Sequence, residues 1–271
     1  MATEEDDDLG DAAAPPEADA VALRALASAG LLRRLELERR KASATEQAAL
    51  RDWLDENGLF ANFGPEGFAL FGARPGAWSQ EDHASVAWAA EELAMLGWAL
   101  GQCEFPPLFE RARAEPLLAL FPSTGPVGPF SLAAKLKPLE TIETQLALCQ
   151  TLAVAAQTEA WARAIAEDPS LIDGDEDLEA LLTAAEAEGF PRAQVSSERG
   201  ATAAAVEGVR HTARALVEGL FASGSPHRAV AFPPEALAGL DDEALALFLA
   251  TSDLRAQALT WLLEGDAWEE D

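Results

Sequence analysis

The segment 79–101, SQEDHASVAWAAEELAMLGWALG, constrains the fold more than any other part of the chain. Its apolar residues cover most of the circumference of a helix, and a helix of that kind lies inside a protein rather than on its surface. Ser79 is a good N-cap residue, and Asp82 follows it at the spacing of a capping box. Gly101 stands where a left-handed residue ends a helix. The sequence therefore predicts one long buried helix over about 79–101.

Glu91 is the unusual residue of this helix, because it shares a helix face with Trp88 and Trp98. A carboxylate in apolar surroundings either has a partner in the core or lies at the edge of a cleft. We favour a structural ion pair over a ligand-binding or catalytic acid. The predicted partner is Arg255, at the start of the last helix, and Lys137 is the second candidate.

The candidate binding residues are this predicted pair and the tryptophans expected beside it: Trp88, Glu91, Trp98, Arg255 and Trp261. Trp261 is included because it would bring the apolar face of the last helix onto the core. No residue is assigned a catalytic role.

Helical patterns with recognisable caps and stops continue along most of the chain. We expect helices over 18–41, 43–57, 138–166, 201–223, 241–249 and 252–264. The aromatic segment 59–76, which glycine and proline interrupt, is expected to be a packed loop with a short helical turn. No strand pattern is convincing. The predicted fold is all-α, an irregular multi-helix bundle around the central helix.

The domain organisation follows from composition. Residues 1–18 are acidic and poor in hydrophobic residues, which predicts a disordered acidic N-terminal tail. Residues 19–271 are expected to form a single helical domain with an acidic insert near 167–190. That insert alternates aspartates as a calcium loop does, but leucine and alanine occupy positions that require glycine and glutamate. We therefore reject a calcium site there.

A basic cluster ends the first predicted helix: Arg33, Arg34, Arg39, Arg40 and Lys41. Positive charge near a helix C-terminus is favourable, because the helix dipole is negative there. We interpret the cluster as a solvated face that matches the dipole, with a partner-binding patch as the alternative.

The net charge of −28, from 47 acidic and 19 basic residues, restricts the possible partners. A surface this negative repels nucleic acid and anionic membranes, and it attracts basic proteins. No apolar run is long enough to cross a membrane, and the acidic N-terminus lacks the pattern of a targeting segment. Two cysteines without a CxxC motif indicate reduced thiols. We expect a soluble, cytoplasmic protein whose oligomeric state the sequence does not determine.

The motifs of common catalytic and cofactor sites do not occur. The three histidines, His83, His211 and His227, have no histidine or cysteine at the i+3 or i+4 spacing of metal ligands. No nucleotide-binding or hydrolase motif is found. We therefore expect no metal and no cofactor.

Two segments resemble the bacterial domain-of-unknown-function 4272 family. Residues 88–101, WAAEELAMLGWALG, resemble its signature W-x-x-E-x-L-x-x-L-x-W-A-L-G, and residues 255–262, RAQALTWL, resemble its R-x-x-A-L-N-W-L. The segment LKPLETIETQLAL resembles its L-R-P-x-x-E-I-L less closely. The chain departs from the family at Thr260, Leu254 and Lys137. The resemblance implies a helical fold and no assigned activity.

Two functional hypotheses remain. The favoured one is an acidic helical interaction protein that binds a basic partner, as an immunity protein or an accessory factor would. The alternative is an enzyme of unknown reaction that uses Glu91 and a histidine in a helical cleft.

Overall fold

The computed structural model describes residues 14–168, residues 236–265, and positions 206, 208, 210, 211, 214, 215, 217 and 218. Several predictions concern residues outside this part of the chain. They are most of the acidic N-terminal tail, the acidic insert beyond residue 168, much of the helix expected over 201–223, and the segment after residue 265.

Every regular element in the described part is helical, which confirms the predicted all-α class. The helices are α1 (Ala18–Arg39), α2 (Ala44–Glu56), a 3-10 turn (Leu59–Asn62), α3 (Pro65–Gly72), α4 (Gln80–Ala87), α5 (Ala89–Ala99), α6 (Ala114–Leu118), α7 (Gly128–Ala133), α8 (Leu139–Glu167) and α9 (Asp242–Glu264). The described positions between 206 and 218 are helical as well.

The chain divides into two compact units. The first consists of Met1–Phe105, Ala112–Glu143 and Gln257–Asp271, and the second of Pro106–Arg111 and Thr144–Ala256. Two compact units can still unfold together in one transition, because cooperativity depends on the energy that couples them. The single cooperative domain expected from residue 19 onward therefore stays a prediction.

The predicted long helix is divided at Trp88 into α4 and α5, which corrects the expectation of one continuous helix. The Trp88 N–H donates to the Ser85 carbonyl, and the Glu91 N–H donates to the Trp88 carbonyl, both over 2.9 Å. These are bonds to the third residue back, tighter than those of an α-helix. The break leaves α4 largely exposed and gives the buried α5 an N-terminus of its own.

The predicted end of this segment is confirmed. Gly101 has a φ of +69°, and its N–H donates to the Trp98 carbonyl over 2.9 Å. The Gln102 N–H donates to the Gly97 carbonyl over 2.8 Å. These two bonds form a Schellman motif, which satisfies the last carbonyls of α5.

The core of the first unit lies where α5 packs against α1. All residues from Leu93 to Leu100 are buried, and the facing part of α1 is rich in alanine. A Cβ on Gly97 would lie 3.2 Å from the Cys103 sulfur and 3.3 Å from the Phe121 ring. A methyl group at this position would therefore require the Cys103 or Phe121 side chain to move by a few tenths of an ångström.

Helix α2 is fixed at both ends. The predicted capping box is present: the Ser43 hydroxyl accepts from the Glu46 N–H, and the Glu46 carboxylate accepts from the Ser43 N–H. At the other end, the Trp53 indole donates to the Gly125 carbonyl over 2.8 Å. The Asn57 side chain donates to the Trp53 carbonyl over 2.8 Å. The C-terminal turn of α2 is thus held without any cation.

The second unit has its own core, formed by Leu148, Leu152, Ala155, Ala156, Val217, Leu237, Leu245 and Phe248. The Phe109 ring stacks on Phe248 at 4.9 Å between centroids. The Asp241 carboxylate caps α9 by accepting from the Ala244 N–H over 2.8 Å, as predicted. Helix α9 then continues to Glu264, so the expected boundary at Ser252 is wrong. Ser252 is a buried residue inside one helix.

The basic end of α1 is only partly solvated, in contrast to our interpretation of the whole cluster as a solvated face. Arg33 donates to the carbonyls of Leu118, Phe121 and Pro122 over 2.8–3.0 Å. Arg34 is buried and forms an ion pair with Glu38. The remaining members of the cluster, Arg39, Arg40 and Lys41, are exposed.

The aromatic segment 59–76 is more regular than the packed loop that we expected, because it contains the 3-10 turn and α3. Its rings do pack together, with Phe71 centred 5.6 Å from Phe60 and 5.0 Å from Phe63.

Among the described helices, none has both the length and the apolar character that a membrane crossing requires.

Candidate functional site

The N-terminus of α5 is the site at which the sequence placed the candidate acid. The break at Trp88 puts Glu91 and Glu92 in the first turn of this helix. The first N–H groups of a helix have no partner within it, and the helix dipole is positive there. Two neighbouring carboxylates at this position are therefore favourable for the fold.

Glu91 is completely buried, with 0% of its surface exposed. Its Oε1 accepts from the Ala112 backbone N–H over 2.6 Å, at the beginning of the segment that leads to α6. A hydrogen bond to an ionised acceptor is shorter and stronger than one between neutral groups. The carboxylate thus fixes the chain near residue 112 to the first turn of α5.

Glu92, which the sequence indicated only as a polar edge, has a contact network of its own. Its carboxylate accepts from the Arg24 Nε over 2.7 Å and from the Ser28 hydroxyl over 2.8 Å. The Arg24 guanidinium also lies 4.1 Å from the centroid of the Trp261 ring, which is a cation–π distance. Glu92, Arg24 and Ser28 were missed as site residues, because no local pattern connects residues 64 to 68 positions apart.

The predicted tryptophans lie in different surroundings. Trp98 is buried, with the Phe105 ring edge-on at 5.4 Å and the Lys137 ammonium 5.4 Å from its ring centroid. Trp261 is buried under Arg24, and Trp88 is partly exposed at the turn between α4 and α5. The two buried rings therefore each lie beside a cation.

Arg255 is buried in the second unit, with 2% of its surface exposed. Its guanidinium donates to the Pro107 carbonyl over 3.0 Å and to the Glu110 carbonyl over 2.7 Å. Arg255 thus holds the 106–111 segment against α9. The ion pair that the sequence predicts between Glu91 and Arg255 stays a prediction, and a double-mutant cycle would test it.

The arrangement at α5 favours binding of the protein's own backbone rather than of a substrate. General acid–base catalysis needs a carboxyl group within hydrogen-bond reach of a reacting proton. Glu91 has no exposed surface, and His83 lies beside Trp78 at 5.9 Å between ring centroids. The described residues contain no group of three or more side chains that could hold a metal ion. Burial raises the pKa of the Cys103 thiol, which keeps it protonated and unreactive near neutral pH.

A second acidic site lies at the C-terminal end of α2. Asp52, Asp55 and Glu56 are exposed at the spacing that places residues on one helix face. No basic residue occurs in the last turn of α2, and no described residue forms an ion pair with these three acids. Their carboxylates are therefore directed to solvent at the negative end of the helix dipole.

Comparisons with known proteins do not extend these observations. No family model matches the chain, no curated protein matches it, and no solved structure matches it. The resemblance to the domain-of-unknown-function 4272 family therefore remains an expectation from the sequence.

Proposed function

We propose that the chain is an acidic helical interaction protein that binds a basic partner protein, in the manner of an immunity protein or an accessory factor. The observation that carries this proposal is the exposed acidic face of α2, formed by Asp52, Asp55 and Glu56. Carboxylates near a helix C-terminus destabilise the helix, and like charges one turn apart repel each other. Such a face lowers the stability of the protein, and its presence is explained if it binds a cationic surface.

The distribution of the basic residues supports the same proposal. In the first unit, Arg24 contacts Glu92 and Trp261, Arg33 binds backbone carbonyls, and Arg34 is paired inside the fold. In the second unit, Arg163 and Arg255 also bind backbone carbonyls. These cations are used within the protein, while most of the acids in the described part of the chain are exposed. These five arginines therefore contribute less to the outer charge of the described part than exposed cations would.

The chemistry of recognition would then be electrostatic. A negative field over the surface speeds the encounter with a cationic protein, and contacts at the exposed rim of an interface depend on salt. At a physiological ionic strength the field extends over about 8 Å, so the partner must approach closely before the charges act strongly. We expect a partner whose contact surface is rich in lysine and arginine.

The test compares two triple variants that remove the same charge from different places. The first is Asp52→Asn, Asp55→Asn and Glu56→Gln on α2. The matched control is Glu66→Gln, Glu81→Gln and Glu115→Gln, which are exposed acids in the first turns of α3, α4 and α6. The partner is isolated at low salt from the source cells, and its Kd is measured against ionic strength by calorimetry.

We expect the α2 variant to raise Kd about tenfold or more, and the control to raise it by less than about threefold. Equal effects of the two variants would assign the affinity to net charge rather than to the α2 face. A partner that binds equally well at high salt would contradict the electrostatic proposal. No contact in the described part of the chain specifically favours the alternative enzyme, because the Glu91 carboxylate is closed to solvent.

A further inference from the structure

One face of α8 in the second unit is uncharged and directed to solvent. Its residues recur at alternating spacings of three and four, which is the pattern of a coiled-coil seam: Ala147, Gln150, Val154, Gln157, Trp161 and Ala164. The first three of these residues are exposed, and the other three are half-buried. We call these six residues the α8 seam. It is about 26 Å long at the rise of an α-helix.

The opposite side of α8 is already used by the fold. This side supplies four residues to the core of the second unit: Leu148, Leu152, Ala155 and Ala156. Between positions 144 and 162 the only charged residue is Glu159, and it is buried. Helix α8 therefore has one face fixed in the core and, across from it, a face without charge.

The absence of charge distinguishes the α8 seam in a strongly acidic chain. The net charge is −28, so two copies repel each other wherever exposed acids meet. On α8 the exposed acids lie beyond the two ends of the seam, at Glu140, Glu143 and Glu167. A second copy thus meets less repulsion here than at the acidic face of α2. A basic partner, in contrast, gains no electrostatic attraction from an uncharged face.

We propose that the α8 seam is covered by the seam of a second copy of this chain, in an antiparallel helix pair with two-fold symmetry. Two-fold symmetry forms each contact twice, because the same surface is used on both copies. The seam residues of one copy then face those of the other in three kinds of layer: Ala147 with Ala164, Gln150 with Trp161, and Val154 with Gln157.

The antiparallel orientation suits the side chains of the seam. A parallel pair would place both Trp161 rings in one layer and align the two helix dipoles. In the antiparallel pair, the Trp161 indole N–H can donate to the Gln150 side-chain carbonyl of the second copy. Association then does not leave the indole donor without an acceptor.

The dimer should be weak and should strengthen with salt. Two helices of this length give an interface at the small end of the range for specific complexes, so we expect a Kd on the order of 10–100 µM. Net charge opposes the association, and Glu143 comes near Glu167 of the second copy at each end of the pair. A complex between the α2 face and a basic protein would respond to salt in the opposite direction, so the two proposals are tested separately.

The first measurement is sedimentation equilibrium of the full chain from about 5 to about 500 µM, at 0.1 M and 1 M sodium chloride. These concentrations span the expected Kd, and the screening length falls from about 10 Å to about 3 Å between the two salt concentrations. We expect a monomer–dimer equilibrium whose Kd is at least about threefold lower at 1 M. A protein that stays monomeric throughout, or a dimer that weakens with salt, would overturn the proposal.

The second measurement uses two variants that add the same charge to an exposed helical position. Val154→Glu places a carboxylate in the middle of the seam, and the matched control Ala84→Glu places one on α4. We expect Val154→Glu to raise the dimer Kd more than about tenfold and Ala84→Glu to raise it less than about threefold. Equal effects would assign the change to net charge and reject the seam. Circular dichroism establishes that both variants are folded.

The third measurement tests the orientation without adding charge. Val154→Cys and Gln157→Cys are mixed in a glutathione redox buffer, and mass spectrometry without reduction identifies the cross-linked pairs. We expect the mixed pair to exceed either pair of identical variants, with the unaltered chain and its Cys103 and Cys149 as the background. Cross-linking mainly between two Val154→Cys chains would overturn the antiparallel arrangement. No cross-link above the background in a chain that dimerises would place the interface elsewhere and overturn the seam.

Discussion

The N-terminus of α5 and the C-terminus of α2 carry the same kind of charge at opposite ends of a helix. At α5, Glu91 and Glu92 lie at the positive end of the dipole and accept hydrogen bonds from Ala112, Arg24 and Ser28. At the end of α2, the acids are exposed at the negative end of the dipole, and no described cation contacts them. The first pair stabilises the fold, whereas the second group destabilises it.

The difference shows how acids with a structural role can be separated from acids available for recognition. Burial, helix position and hydrogen-bond partners agree at α5, which is typical of a site that evolved for stability. At α2 the helix position is unfavourable and no described cation offsets it, and natural proteins violate local rules mostly where function requires it. Each of the following experiments changes one of these three properties.

The largest effect is expected at Glu91. The Glu91→Gln variant keeps the size of the side chain but removes a buried charge whose partners are already fixed. We expect the free energy of unfolding to fall by about 2–4 kcal/mol. The reason is that the buried groups that interact with the Glu91 carboxylate lose their charged partner. Urea denaturation with an unchanged m-value would measure it. Glu81→Gln, an exposed acid in the first turn of α4, is the control and should change stability by less than about 0.5 kcal/mol. A Glu91→Gln protein of normal stability would remove the basis for calling this acid structural.

The parts of this site that the sequence predicted are the local ones. Ser79, Ser43 and Gly101 are recognisable because capping depends on residues within one turn of the helix end. Glu91 could be identified as a buried acid because its neighbours on the helix face are apolar. The hydrogen bond that Glu91 accepts from the Ala112 N–H could not be predicted, because it depends on where a loop 21 residues further along the chain packs.

The predictions that failed have the same origin. Trp88 is compatible with a helix interior, so nothing local indicates that the N–H groups of Trp88 and Glu91 donate to the third residue back. Ser252 resembles an N-cap, but it is buried inside one continuous α9. Arg33 resembles a solvated cation, yet it binds carbonyls more than 80 residues away. Tertiary contacts override local preference in each case.

The next effect concerns Arg24, which connects Glu92 to Trp261. We expect Arg24→Gln to cost about 1–2 kcal/mol, because it removes a partly exposed ion pair and a cation–π contact together. Arg24→Lys should cost less than Arg24→Gln, since the charge is kept while the planar contact with the ring is lost. Thermal unfolding of the two variants measures the order. If Arg24→Lys were the less stable of the two, charge would contribute nothing at this position.

The acids of α2 should respond with the opposite sign. We expect Asp55→Asn combined with Glu56→Gln to stabilise the protein by about 0.5–1 kcal/mol at low salt, because two charges leave the negative end of a helix. The gain should largely disappear at 1 M salt, where the screening length is about 3 Å. Urea denaturation at the two salt concentrations tests both points. Destabilisation by these substitutions would show that the α2 acids have a structural role, and it would weaken the proposed interaction surface.

The smallest effect separates helix position from burial. Asp82 lies at the favourable end of α4 as Glu91 does at α5, but its side chain is far less buried. Hydrogen bonds from the Ser79 N–H, over 2.7 Å, and from the Ser79 hydroxyl hold the pKa of Asp82 below its ordinary value. A carboxyl group whose pKa is lower in the folded state stabilises the fold above its unfolded pKa, which is about 3.9 for aspartate. That contribution is lost as the pH falls through the folded pKa.

The Asp82→Asn variant should therefore be slightly less stable than the unaltered chain near neutral pH. The difference should narrow as the pH falls below about 4 and vanish once Asp82 is protonated in both states. The measurement is the thermal midpoint of both proteins between neutral and acidic pH, with Asp52→Asn as the control at the unfavourable end of α2. A difference that is the same at every pH would assign the effect of Asp82 to the shape of the capping box and not to its charge. A control that also loses stability near neutral pH would show that the end of the helix does not determine the sign.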